Sequence, residues 1–201
     1  MKLGVFGGTF DPPHIGHLIA AQDAKSALAL DRVIFVPAAV PPHKRDDTVS
    51  AAGTRLAMVR AAIAGADGFE VDDLELRRGG PSWTVDTLRE LAARLPGSEL
   101  FLLIGSDQHA EFESWREPDK IGQLAKVAVL TRENGVRQAA GVHTVRVTRI
   151  DVSSTDIRRR TAEGQPIRFL VPAAVEALIR LHGLYGAIPG DRDRIGIVPG
   201  G

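Results

Sequence analysis

Leu3-Gly4-Val5-Phe6-Gly7-Gly8-Thr9-Phe10-Asp11-Pro12-Pro13-His14-Ile15-Gly16-His17 is the stretch whose reading decides the fold. Leu3 to Phe6 is a short apolar run, read as a buried strand. Gly7 and Gly8 let the main chain turn sharply and come close to a ligand. Asp11 and the two prolines suit a turn that opens a helix, where proline fixes φ at a position whose N–H would lack a partner anyway. His14 and His17 stand three apart, so on a helix they share one face at its positive end. Gly16 between them leaves room for a bulky ligand. Free N–H groups and two imidazoles make an anion site suited to phosphates. A glycine turn with two capping histidines is the plainer alternative. The helix dipole tends to keep both rings neutral. No third histidine or carboxylate at ligand spacing nearby favours a metal.

The same alternation of apolar run and helical period continues outward. The spacing predicts a helix over 18–30, a strand over 33–36 ended by Pro37, and a loop through Pro41 and Pro42. A helix opened by Ser50 or Thr54 runs to about Ala64, and a strand follows over 69–76. Further helices are expected over 84–95 and 170–184, and further strands over 100–104, 126–130 and 144–150. Continuous apolar runs such as 100–104 belong to central parallel strands covered on both faces. The pattern predicts an α/β fold, a Rossmann-like open parallel sheet with helices on both faces and right-handed crossovers. Ligands of such sheets bind beyond the carboxyl ends of the strands. Residues 1–186 read as one domain, and 187–201 as an irregular Gly/Pro/Asp/Arg tail.

The 201 residues carry 25 basic and 25 acidic side chains, so no long-range field draws a nucleic acid or a membrane surface. No cysteine is present, which excludes disulfides, thiolate metal sites and cysteine nucleophiles. No run approaches the roughly 18 apolar residues that span a bilayer, and no secretory h-region follows the N-terminus. A cytoplasmic protein is expected, with a homo-oligomer left open.

Five later motifs fall where the predicted strands end. Lys44, in Pro41-Pro42-His43-Lys44, is a point charge on a stiff loop that can reach a phosphate, or a solvated loop lysine. Gly80-Pro81-Ser82-Trp83-Thr84 offers Thr84 as an N-cap and Trp83 as core or stacking surface. Gly105-Ser106-Asp107 puts a carboxylate where ribose hydroxyls would lie, or caps a helix. Trp115 presents a flat face to a pyridine ring or packs in the core. Arg132 follows the strand KVAVL. In Val152-Ser153-Ser154-Thr155-Asp156-Ile157-Arg158, Ser153 and Asp156 fit a capping box. The same helix start can offer Ser154, Thr155 and Arg158 to a triphosphate. Arg159 and Arg160 read as solvated.

The first segment is neither a dinucleotide fingerprint nor a Walker sequence. It resembles, almost residue for residue, the GGTFDPxHxGH signature of the nucleotidylyltransferase superfamily. SSTDIR resembles that superfamily's ISSTxIR motif, with Val152 in place of isoleucine before it. PPHK, PSWT with Trp83 for the usual tyrosine, and Gly105 to Trp115 resemble elements of nicotinate mononucleotide adenylyltransferases. Arg132-Glu133-Asn134-Gly135 stands where that family has Arg-Pro-Gly, and FLVPAAVEALIRLHGLY resembles its closing helix. The likeness covers residues 1–186.

It implies a nucleotidylyltransferase-type fold and transfer of AMP from Mg2+-bound ATP to nicotinate mononucleotide. His14, His17, Lys44 and Arg158 would act on the reacting phosphates. ATP would meet Gly7, Gly8, Thr9, Phe10, Gly105, Asp107, Ser154, Thr155 and Arg158. The acceptor would meet Lys44, Trp83, Thr84, Trp115, Arg116 (through its backbone N–H) and Arg132. The metal would be held by phosphate oxygens and water, with no dedicated protein ligands. Another acceptor on the same scaffold, an inactive nucleotide-binding module and an NAD-dependent oxidoreductase are the competing readings.

Overall fold

Alternate residues of each apolar run go to opposite faces of the sheet, which makes two cores from one set of strands. Leu3, Val5, Ile34, Val36, Leu100, Leu102, Ile104, Val127 and Val129 join one buried cluster. Phe6, Val33, Phe35, Phe101, Leu103, Ala128 and Leu130 join the other. The structure, a computed structural model, describes residues 1–40, 50–132 and 142–187. Among these residues the strands are β1 (Lys2–Gly8), β2 (Arg32–Pro37), β3 (Phe69–Val71), β4 (Glu99–Gly105), β5 (Lys126–Thr131) and β6 (Val142–Arg146). They pair in the order β3-β2-β1-β4-β5-β6, parallel throughout. This is the Rossmann-like open sheet expected, and the chain reverses its direction of growth between β1 and β4.

The helices are α1 (Ile15–Ala27), α2 (Ala52–Ile63), α3 (Leu74–Arg78), α4 (Thr84–Arg94), α5 (Ser106–Ala110), α6 (Pro118–Leu124), α7 (Ser154–Ala162) and α8 (Ala173–Leu181). Leu74, Val85, Leu88, Leu91 and Ile121 bring α3, α4 and α6 onto the first core. Ala21, Ala24, Val59 and Ile63 bring α1 and α2 onto the second. A third cluster joins Met58, Val152, Ile157, Val175 and Ile179, seating α7 and α8 against α2.

Several boundaries differ from the sequence reading. The helix expected over 18–30 begins at Ile15, with His14 as its N-cap residue. The strand expected over 69–76 stops at Val71, because Asp72 Oδ1 accepts the Leu74 N–H at 3.0 Å and turns the chain into α3. The last strand lies over 142–146 rather than 144–150. The helix expected over 170–184 begins at Ala173, after Pro172, and ends at Leu181. A single turn over Leu184–Gly186 follows it. Trp83, not Thr84, is the N-cap residue of α4. The expected tail lies, after Ala187, outside the described residues, as do Lys44 and its loop.

Candidate active site

β1 delivers Gly7 and Gly8 to the carboxyl edge of the sheet, next to the switch point between β1 and β4. A Cβ on Gly7 would meet nothing within 4 Å, so the main chain there is open to a ligand. A Cβ on Gly8 would stand 2.9 Å from the Phe10 ring, which folds back over it. Phe10 takes a left-handed backbone conformation (φ 51°) and is 2% exposed. Its ring packs edge-on against Phe6 and His17.

His14 and His17 stack with ring centroids 3.7 Å apart. The His14 N–H donates to His17 Nδ1 at 3.2 Å. That nitrogen is therefore the lone-pair one, and the proton of a neutral His17 sits on Nε2. Burial, with the Arg132 guanidinium second, lowers His14 to about 4. His17 is held well below its ordinary range by burial, then by His14 and Arg132. Both rings are neutral at pH 7. The buried Nδ1 of His14 has no partner among the described residues. A lone pair is cheaper to leave there than an N–H, so His14 also carries its proton on Nε2.

Gly16 plays a different part from the one its position suggested. Its missing Cβ would stand 3.0 Å from Val152 Cγ1 and 3.1 Å from His14 Nδ1. The space belongs to the protein's own packing of α1 against the segment before α7, not to a ligand.

That packing brings the two glycine-turn and hydroxyl-rich helix starts together. Ser154 Oγ donates to the Pro12 carbonyl at 2.8 Å. Arg158 Nη1 donates to the Asp11 carbonyl at 3.0 Å, and its Nη2 to Thr155 Oγ1 at 3.3 Å. Part of the Arg158 fork is thus spent on holding the turn. Ser153 Oγ accepts the Asp156 N–H at 3.1 Å. The Asp156 carboxylate does not complete a capping box but accepts from Arg159 and Arg160, which are therefore paired rather than merely solvated.

Arg132 leaves the end of β5, paired with Asp151 at 3.6 Å, and its field reaches both histidines. Gly105 ends β4, and its N–H is taken by Gln108 Oε1 at 3.1 Å. Asp107 sits exposed in the first turn of α5. On the first-core face, Trp83 and Trp115 are half-buried against the same cluster. The Arg116 guanidinium lies 5.7 Å from the Trp83 ring centroid and 3.5 Å from Asp86. The structure thus gathers Trp83, Thr84, Trp115 and Arg116 into one patch. It gathers His14, His17, Ser154, Thr155, Arg158 and Arg132 into another. Among the described residues no group of three or more His, Asp or Glu side chains could hold a metal ion.

Sequence reasoning passed over Arg55, Glu75 and Tyr185, and read Asp11 only as a turn residue. Arg55, 1% exposed, donates to the carbonyls of Thr9 (2.8 Å), Ala38 (2.6 Å), Ala39 (3.1 Å) and Ser50 (3.0 Å). Asp11, 3% exposed, accepts the Ser50 N–H and the Tyr185 hydroxyl. Glu75, 6% exposed, accepts from Thr87 Oγ1, and burial raises its carboxyl above the usual range. One signal was available. Arg55 shares a helical stripe with Met58, Val59 and Ala62, so it is a charge on an apolar face.

A family model described as cytidylyltransferase-like matches residues 5–160. A probable nicotinate-nucleotide adenylyltransferase of Shouchella clausii is 44% identical over 186 residues, spanning 92% of this chain and 97% of its own length. One from Thermus thermophilus is 44% identical over 187 residues, spanning 92% of this chain and all of its own. The nicotinic acid mononucleotide adenylyltransferase of Plasmodium falciparum complexed with NaAD superimposes with a TM-score of 0.75 at 17% identity. That likeness covers 92% of this chain and 97% of the other, and speaks to the fold alone.

Proposed function

The chain belongs to the nicotinate-nucleotide adenylyltransferases of the cytidylyltransferase-like family, and on that premise we propose how its residues carry the reaction. The acceptor's phosphate attacks the α-phosphorus of ATP, the bond to the β-phosphate oxygen breaks, and pyrophosphate leaves with its electrons. The products are deamido-NAD and pyrophosphate. The attacking phosphate is already an anion at pH 7, with a second pKa near 6, so no general base is needed. The work is alignment of two anions and neutralisation of the charge they share.

The observation that carries this reading is the hydrogen-bonded junction of Ser154 with Pro12 and of Arg158 with Asp11. It sets two helix N-termini side by side at one sheet edge, where each favours phosphate. Neutral His14 and His17 each offer an Nε2–H to the reacting phosphates. Such donors stabilise developing charge without drawing the phosphates into tight ground-state ion pairs. Gly7, Gly8, Thr9 and Phe10 line the turn that receives the triphosphate, with Thr155 and the free N–H groups of Arg158 beside them. Gly105 and Asp107 meet the ribose. Lys44 neutralises phosphate, and Arg132 adds a positive field from the end of β5. Trp83, Thr84, Trp115 and the Arg116 N–H receive the nicotinate end of the acceptor. Mg2+ enters with ATP as part of that substrate, held by phosphate oxygens and water.

The test is a pyrophosphate-release assay with ATP against nicotinate mononucleotide, nicotinamide mononucleotide and other phosphate acceptors. Release with nicotinate mononucleotide well above the rest is expected. Silence with every acceptor would leave only a binding module.

A further inference from the structure

Resting on that functional reading, we infer that Arg55 and Ser82 are positioning residues that set the distance between the phosphate-binding turn and the acceptor-binding turn. Neither residue is placed against a substrate. Arg55 is buried in α2 with four main-chain carbonyls as partners, and these come from three separate stretches. Thr9 belongs to the turn after β1, Ala38 and Ala39 follow β2, and Ser50 precedes α2. A guanidinium is the one side chain with a rigid planar fork of five donors, so it can fix several carbonyls at once.

The line of bonds continues from Ala39. Its N–H donates to Ser82 Oγ at 2.8 Å, and the Ser82 N–H donates to the Val40 carbonyl at 3.0 Å. Ser82 also bonds the buried Glu75 carboxyl, which takes the Thr87 hydroxyl inside α4. Trp83 and Thr84 follow Ser82 directly. A continuous, partly buried path of hydrogen bonds therefore runs from Thr9 to the first turn of α4. Filling the apolar stripe of α2 alone would favour a leucine or methionine there, since burying a guanidinium carries a large desolvation cost. The gain is fixed geometry between two loops that sequence separates by more than 70 positions. In-line transfer is acutely sensitive to it, since a misplacement of about 1 Å can cost roughly 100-fold in rate.

The experiment compares wild type, R55K, S82A and the double variant in pyrophosphate release, with kcat and each KM measured at a saturating second substrate. Folding of each is followed by thermal melting. In R55K kcat should fall about 30- to 100-fold, and in S82A about five- to tenfold. Both KM values should stay within about threefold, because neither side chain binds substrate. The double variant should lose much less than the product of the two, since both act through the Ala38–Ala39 segment. S82A removes only one oxygen, so it decides the matter if R55K fails to fold. An S82A enzyme with kcat within twofold of wild type, or with its loss confined to KM, overturns the inference. A silent wild type would instead strike the functional reading itself.

Discussion

His14, His17, Ser154 and Arg158 are held by buried contacts and by bonds to main-chain carbonyls. Trp83 and Trp115 sit half in solvent on the first core, and Arg116 and its surroundings are steadied by side-chain ion pairs: Arg116 with Asp86 at 3.5 Å, Arg89 with Asp86 at 3.0 Å and Arg89 with Glu117. Carbonyl anchors cannot swing away, and a neutral imidazole in a packed stack has one useful orientation. Exposed ion pairs are worth only about 0–1 kcal/mol each and yield easily. On the function proposed above, the phosphate side serves the reacting centre and the ring side recognition. One must be rigid before substrate arrives, and the other can adjust around it.

His17→Ala attacks the rigid side at its centre and should have the largest effect. Removing one preorganised donor to developing charge costs about 100- to 1000-fold in kcat, with the circular dichroism spectrum unchanged. Near-normal turnover would place the chemistry elsewhere.

The second test reads the burial of the histidine pair as a pH dependence. His14 has a folded value of about 4, below its ordinary 6.5, so the unfolded chain binds the extra proton first. The stability it contributes is complete above pH 6.5 and lost as pH falls toward 4. The shift corresponds to about 3 kcal/mol. His17 shifts in the same direction, and Arg132 opposes protonation of both. Urea denaturation at pH 7 and at pH 4.5 should show a clearly smaller difference for His14→Gln than for wild type. Equal differences would mean that His14 is not the buried, neutral group described.

Substitutions on the ring side should matter least. Trp115→Ala is expected to raise the acceptor KM about three- to tenfold, from the loss of about 0.5–1.5 kcal/mol of stacking, with kcat nearly unchanged. Arg116→Ala should shift the same constant less than about threefold, since its side chain makes only exposed contacts. A kcat loss beyond tenfold in either would erase the contrast between the two sides.

Much of the sheet was legible because parallel strands covered on both faces need no polar positions. The runs 33–36, 100–104 and 126–130 lie inside β2, β4 and β5, each strand only one or two residues longer at its ends. The start of β3 at Phe69 was legible but its end at Val71 was not, because that boundary depends on the Asp72 carboxylate meeting the Leu74 N–H and not on apolar spacing. The neighbourhood of the phosphate turn was readable as motifs, since glycines, histidines and hydroxyls at a helix start announce themselves. Its framework was not. Arg55, Glu75 and Tyr185 act through partners as far as 46, 12 and 174 positions away, and local pattern carries no trace of such partners. Gly16 misled for a related reason, since an absent side chain does not reveal whether a ligand or a neighbouring valine fills its place.

Tyr185 reaches back to the Asp11 carboxylate across 174 positions, and Asp11 is the residue whose carbonyl Arg158 grips. During synthesis β1 and its turn emerge first, yet that carboxylate cannot find its hydroxyl until nearly the whole described chain has been made. A nascent protein therefore carries an unfinished phosphate turn through most of its production. Until Tyr185 is made, the Asp11 carboxylate lacks that hydroxyl donor.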